Sequence, residues 1–136
     1  MRLLVDTNVL VYDTVEDSEH HKEASEIIDS ATLLYIPSIV VHEYSWILLR
    51  YLNLNPVFTL TKMLEYLEDP RAVYQLESLD TLKLAFVMLK EDGGVVKEIN
   101  DYIVLAFTIV NKLSLATFDR ELRRKAGKRG VKVIPE

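Results

Sequence analysis

The chain has 136 residues, 49% of them hydrophobic and 27% charged, with no cysteine and a formal charge of −5. These are the proportions of one globular domain. They exclude a disordered chain, collagen, a bare coiled coil, a disulfide framework, thiolate metal sites and a cysteine nucleophile. No apolar run approaches the ~20 residues that span a bilayer, and Asp6 stands where a signal peptide needs an apolar core, so the expectation is a cytoplasmic protein with no membrane segment.

Residues 1–5 are a short apolar run ending in Asp-Thr-Asn, the pattern of a strand buried on both faces. Ala24, Ile27 and Ile28 recur at helical spacing within 20–30. Residues 32–36 predict a second strand stopped by Pro37, and Ser38 is placed to cap a helix over 39–52. Pro56 opens a further helix in which Val57, Leu60, Met63, Leu64 and Leu67 share a face. Core packing accounts for most of the apolar side chains in 39–68, with Tyr51, Phe58 and Tyr66 as candidates for a surface between copies or toward a partner protein. A weaker strand follows Pro70 over 72–76. Leu79, Leu82, Phe86 and Leu89 mark a helix closed by Gly93-Gly94. Ile99, Ile103, Ala106 and Val110 mark another over 99–111. A strand over 113–117, a short basic helix over 120–126 ended by Gly127, and a strand over 131–134 complete the chain.

The order βαβααβααβαβ predicts a three-layer α/β/α sandwich with a five-stranded, mostly parallel sheet, in a single domain spanning 1–136. Ligands on such sheets bind outside the carboxyl ends of the strands, where strand order reverses. Residues that follow strands therefore carry the most functional weight.

The net charge conceals an uneven distribution. Residues 12–29 hold seven acids against Lys22 alone, and residues 120–132 hold seven bases against Glu121 alone. The C-terminal stretch thus carries +6 and the remainder −11, which together make the −5. Both runs are explained as solvated helix faces. The basic one also suits a nucleic-acid backbone. Arg120, Arg123, Arg124 and Lys128 share roughly one face of the basic helix and are the candidate phosphate contacts, while Leu122 and Ala126 face the core.

Four acids stand out by position. Asp6 follows the first strand and Asp119 the fourth, Glu43 lies in the apolar helix SIVVHEYSWILL, and Asp101 is in the first turn of INDYIVLAFTIV. Asp119 is also a natural N-cap, and Asp101 also suits a helix dipole. Glu43 has Ile39, Val40, Trp46 and Ile47 as helical neighbours, which places it near the core, where an unpaired carboxylate is costly. All four can converge at one sheet edge. Carboxylates so placed, with no His or Cys cluster, suit Mg²⁺ or Mn²⁺ and in-line displacement at a phosphodiester. Glu98, a turn before Asp101, is either a further approach to the ion or a solvated loop acid.

Other chemistries lack their motifs. No phosphate-binding glycine loop is present, His42-Glu43 is followed by Trp46 where a zinc protease needs its second His, and no G-x-S-x-G occurs. His20 and His21 lie in a polar acidic segment and are expected at the surface. A phosphoacceptor receiver domain would need an Asp directly after the third strand, where Gln75, Glu77 and Ser78 stand instead.

The stretches LLVDTNVLVY, PSIVVHEYSWILL, NDYIVLAFTIVNKLSLATFD and DRELRRKAGKRGVKVI, in this order, resemble the PIN-domain ribonucleases, in particular the small VapC-type toxins and related archaeal proteins. The resemblance covers essentially the whole chain. It implies a five-stranded parallel sheet, Mg²⁺ or Mn²⁺ held by Asp6, Glu43, Asp101 and Asp119, and cleavage of single-stranded RNA to 5′-phosphate and 3′-hydroxyl ends. It also implies Asn8 and Thr117 as polar helpers, a homodimer, and an antitoxin as a possible partner. The alternative is a non-catalytic or partner-inhibited module of the same fold that binds RNA or protein.

Overall fold

A computed structural model describes all 136 residues. In chain order it contains β1 (Arg2–Val5), α1 (Thr7–Thr14), α2 (His21–Ser30), β2 (Leu33–Pro37), α3 (Ser38–Trp46) with a π-helical turn (Ile47–Tyr51), and α4 (Pro56–Leu67). There follow β3 (Ala72–Gln75), α5 (Leu79–Glu91), a 3₁₀ turn (Val96–Glu98), α6 (Ile99–Val110), β4 (Ser114–Ala116), α7 (Arg120–Gly127) and β5 (Val133–Ile134). The five strands form one sheet in the order β3-β2-β1-β4-β5, parallel at every pairing.

This order explains where the site lies. The chain steps outward from β1 to β2 to β3, then returns to the other side of β1 for β4 and β5. With right-handed crossovers, the two directions of travel put α1–α4 on one face and α5–α7 on the other. Strand order reverses between β1 and β4, so the crevice outside their carboxyl ends is the natural ligand site. Leu3, Leu4, Val5, Leu115 and Ala116 are fully buried. Both faces of the central strands are covered, which is why they read as unbroken apolar runs.

The expected fold is present, with differences of physical interest. Helix α1 was not expected. Its Thr, Asn and Val residues are weak helix formers, but Val9 and Leu10 are buried, and a half-buried polar network anchors it. Tyr66 donates to Asp13 Oδ2 at 2.6 Å, Ser25 donates to Asp13 Oδ1 at 2.6 Å, and the Thr14 and Tyr44 hydroxyls lie 2.7 Å apart. The helix expected over 39–52 changes to a π turn after Trp46 and ends at Asn53, whose φ is +53°. Ser38 does not cap α3. Its hydroxyl instead donates to Glu77 Oε2 at 2.6 Å, and Glu77 also accepts from the Ile39 N–H. Pro56 does open α4, behind an Asn55 cap that accepts from Phe58 N. The apolar stripe of α4 is only partly covered, however: Met63 and Leu67 pack against the core, while Val57, Leu60 and Leu64 are exposed. Gly93 closes α5 at φ +58°, a conformation that favours glycine. No helix is long and apolar enough to cross a membrane.

Candidate active site

Parallel pairing of β1 with β4 aligns Val5 with Ala116, so the residues after each strand emerge side by side. Asp6 follows β1, is 8% exposed, and its backbone N–H donates to Ala116 O at 2.9 Å. The fully buried Thr117 hydroxyl ties the two segments together. It donates to Asp6 Oδ2 at 2.7 Å, and it accepts from the Asp119 N–H at 3.1 Å and from Asn8 Nδ2 at 3.4 Å. Asn8 completes the web, since its Oδ1 accepts from Phe118 N at 3.2 Å. The other Asp6 oxygen accepts from Thr7 N at 2.8 Å. Asp6 is thereby held in one orientation, with Thr117 bonded to it directly and Asn8 bonded to Thr117.

Asp119 does cap α7, with Oδ1 accepting from Leu122 N at 3.0 Å, and it also stands exposed at the crevice. Its two readings are therefore compatible. Glu43 on α3 and Asp101 on α6 reach the crevice from opposite faces, because α3 and α6 pack against each other across this edge of the sheet. Glu43 is half-buried as expected, although its helical neighbour Trp46 points outward and is 57% exposed.

The acids act on one another's charge, although burial is the larger cause at each. Burial pushes the Asp6 carboxyl up to about 6, opposed by the hydrogen bonds from Thr117 and Thr7 and reinforced by the charges of Asp101 and Asp119. Burial pushes Glu43 up to about 7, with Asp6 and Asp101 adding to it. Asp101 is also raised, by burial, while Lys125 acts against this and Asp119 and Glu98 act with it. A divalent cation among hard carboxylate oxygens would relieve this mutual repulsion, so the donor set suits Mg²⁺ or Mn²⁺. As they stand, no three carboxylate or imidazole side chains lie close enough together to hold an ion between them. Both Asp6 oxygens already accept hydrogen bonds, Asp119 Oδ1 is on its helix cap, and Asp101 Oδ2 leans to Lys125 at 3.3 Å.

Lys125 is the residue that sequence reasoning missed. Its side chain is buried, with Nζ 2.7 Å from Glu98, 3.3 Å from Asp101 and 5.1 Å from the Tyr102 ring centroid. It follows Leu122 by three positions, so the same periodicity that places Leu122 and Ala126 inward also places Lys125 inward. Glu98 is therefore an ion-pair partner of Lys125. The candidate phosphate contacts have mixed surroundings. Arg123 donates to the carbonyls of Thr117 and Pro135, pinning the loop that carries Asp119 to the C-terminus. Lys128 and Arg129 converge on Asp92, which also accepts from Tyr102. Arg124 pairs with Glu121 at the surface, and Arg120 is exposed. The histidines are less exposed than expected. His20 stacks on Phe118 with centroids 4.6 Å apart, Tyr12 meets both rings edge-on, and His21 Nδ1 lies 3.0 Å from Tyr12 O.

A family model for the PIN domain matches residues 3–128. No curated protein matches the chain. Among solved structures, similar chains include one in VapBC2 from Rickettsia felis bound to a DNA fragment from its promoter, at 18% identity and a TM-score of 0.70, covering 98% of this chain and 97% of that one. VapC20 from Mycobacterium tuberculosis, described as a Sarcin-Ricin loop cleaving toxin, is 15% identical with a TM-score of 0.75, covering 90% of this chain and 93% of that one. PAE2754 from Pyrobaculum aerophilum is 18% identical with a TM-score of 0.66, covering 98% and 90%. At these identities the likeness is one of fold.

Proposed function

The chain belongs to the PIN domain family, and from that premise we propose that it is a metal-dependent endoribonuclease of single-stranded RNA, acting in the cytoplasm as one domain over 1–136. The observation that carries the reading is the placement of Asp6. It is buried at the strand-order reversal, oriented by Thr117, and within the charge field of Asp101, Asp119 and Glu43. Asp6, Asp101 and Asp119 would hold the ion, with Glu43 beside them or on a second one. When bound, Mg²⁺ or Mn²⁺ supplies Lewis-acid charge at the phosphodiester.

The chain's own residues supply the rest. Glu43, whose charged form burial and the neighbouring acids disfavour until a cation is present, is placed to orient an attacking water. Thr117 and Asn8 fix the Asp6 carboxylate and the loop bearing Asp119, so that neither reorganises as charge develops. Arg123 fixes that loop from the other side. Arg120 and Arg124 remain at the surface as backbone contacts for RNA, with a salt-dependent share of the affinity. The products carry 5′-phosphate and 3′-hydroxyl ends. The description of VapC20 as a Sarcin-Ricin loop cleaving toxin supports a toxin nuclease, and a toxin–antitoxin complex among the structural neighbours supports an antitoxin partner. The exposed apolar stripe of α4 supports a partner surface there, for an antitoxin or a second copy. Mg²⁺-dependent cleavage of a labelled single-stranded RNA by the wild type, and none by Asp6→Asn, is the expected result. Equal activity in the two proteins overturns the assignment.

A second reading is a binding module of the same fold. The observation in its favour is that Asp101 leans to Lys125 while no three acids surround one point. A calorimetric titration with Mn²⁺ that shows no binding decides for it.

A further inference from the structure

A groove of about 510 Å³ opens beside the acids, lined by Ile39, His42, Glu43, Trp46 and Asn100. It is continuous with the candidate active site at two points. Glu43 belongs to both, and Asn100 immediately precedes Asp101. Its most prominent wall is Trp46, the single tryptophan of the chain and 57% exposed. An indole left in water beside a catalytic crevice is unexplained by folding, since buried Tyr44 and Leu48 already anchor this helix to the core.

The backbone arranges further groups around that indole. Trp46 ends α3, and the π turn Ile47–Tyr51 begins directly after it. A π turn bonds i to i+5. It therefore carries Tyr51 back alongside Trp46 where a continued α-helix would carry it away. The two rings meet edge-on with centroids 6.5 Å apart, and Tyr51 is 72% exposed. The Arg50 guanidinium lies 6.0 Å from the indole centroid and is paired with no carboxylate. An exposed aromatic face, a second ring beside it and a free guanidinium are the elements with which single-stranded nucleic acid is held: bases stack, and the cation meets the backbone.

We infer that Trp46, with Tyr51 and Arg50, forms a stacking subsite for an unpaired nucleobase next to the phosphodiester at Asp6, Glu43, Asp101 and Asp119. The inference deepens the ribonuclease reading and rests on it for the identity of the ligand. His42 and Asn100 present polar edges into the same groove and can contact the base rim. His42, Glu43 and Asn100 in the lining and the junction with the acids favour RNA here over an amphipathic protein helix, which lays its apolar face into a hydrophobic groove.

Because Trp46 is the only tryptophan, its fluorescence reads the subsite directly. The probe is a short mixed-sequence single-stranded RNA added to the full-length Asp6→Asn protein, with an abasic ribose-phosphate chain of equal length as control. The RNA should quench Trp46 saturably and the abasic chain should not. In cleavage assays on the wild-type background, Trp46→Ala should raise KM about tenfold or more with kcat little changed, and Trp46→Phe should restore most of the loss. Cleavage that proceeds with unchanged KM in Trp46→Ala, and without quenching, overturns the subsite and leaves the ribonuclease reading standing. Base-dependent quenching with no cleavage by the wild type supports the stacking surface and overturns the ribonuclease reading. If RNA does not quench and light scattering shows Trp46→Ala turning a dimer into a monomer, the face belongs to a second copy and the inference fails.

Discussion

Replacing Glu43 by Gln should stabilise the metal-free protein, and only at neutral and alkaline pH. Glu43 has an ordinary value of 4.5 and is pushed up to about 7 in the fold, by burial first and then by Asp6 and Asp101. The folded state therefore holds this proton more tightly than the unfolded state. Stability from this group is fully present below about 4.5 and is lost as pH rises through about 7. The full shift corresponds to roughly 3 kcal/mol at about 1.4 kcal/mol per pH unit, and partial solvent access lowers this to about 2 kcal/mol. For a chain of this length, that is about 6–8 °C in Tm. Gln keeps the shape of the side chain and removes the charge. Thermal unfolding of both proteins in EDTA, at steps from pH 4.5 to 8, should show coincident Tm values at the acid end and Glu43→Gln higher at the alkaline end. A pH-independent difference, or a less stable variant at pH 8, refutes the claim that burial and the neighbouring acids disfavour the charged form of Glu43.

Thr117→Val preserves shape and removes the hydroxyl that joins Asp6, Asp119 and Asn8, so it should cost about 2 kcal/mol. It should also move the acid limb of the pH–rate profile upward, because Asp6 loses a hydrogen bond that favours its charged form. An unchanged Tm and profile would contradict this, and Thr117→Ser should restore both. Asp92 is held far below the usual carboxylate range by Arg129, despite its burial, and also by Lys128 and Tyr102. Its contribution is present above about pH 4 and fades as pH falls further. Asp92→Asn should thus cost about 2–3 kcal/mol at pH 7 and much less near pH 2, as read by urea unfolding at both values. Lys125→Met removes the cation that opposes the rise of Asp101. Asp101 should then titrate higher by side-chain carboxyl NMR, with a lower Tm, and an unmoved titration would show that the contact is incidental.

The parts of the fold legible in the sequence were those in which one physical cause dominates. Leu3, Leu4 and Val5 form an unbroken apolar run because helices cover both faces of β1, and a strand of that kind has few other readings. The side-by-side placement of Asp6 and Asp119 was legible because parallel pairing of β1 with β4 brings the residues that follow the two strands together. Helix α1 was not legible, since its stability comes from packing and from the Asp13–Tyr66–Thr14 network, both of which depend on residues far along the chain. Periodicity placed Val57, Leu60, Met63, Leu64 and Leu67 on one face, but periodicity cannot say what covers a face: Met63 and Leu67 pack against the core, while Val57, Leu60 and Leu64 stay exposed. The basic segment shows the same limit. Charge counting grouped Arg123, Arg124, Lys125 and Lys128 together, yet the fold spends Arg123 on carbonyls, Lys125 on buried acids and Lys128 on Asp92. The π turn after Trp46 has no sequence signal that distinguishes it from a continuing helix, and it is what brings Tyr51 beside Trp46.

The central claim is that the acids at the β1–β4 crevice form one metal-dependent cleavage site. It is tested most directly by following a 5′-labelled single-stranded RNA with wild type and Asp6→Asn in parallel, each in Mn²⁺ and in EDTA. The account predicts endonucleolytic fragments with 3′-hydroxyl ends from the wild type in Mn²⁺ only. Cleavage that persists in EDTA, or that is equal in Asp6→Asn, would contradict it.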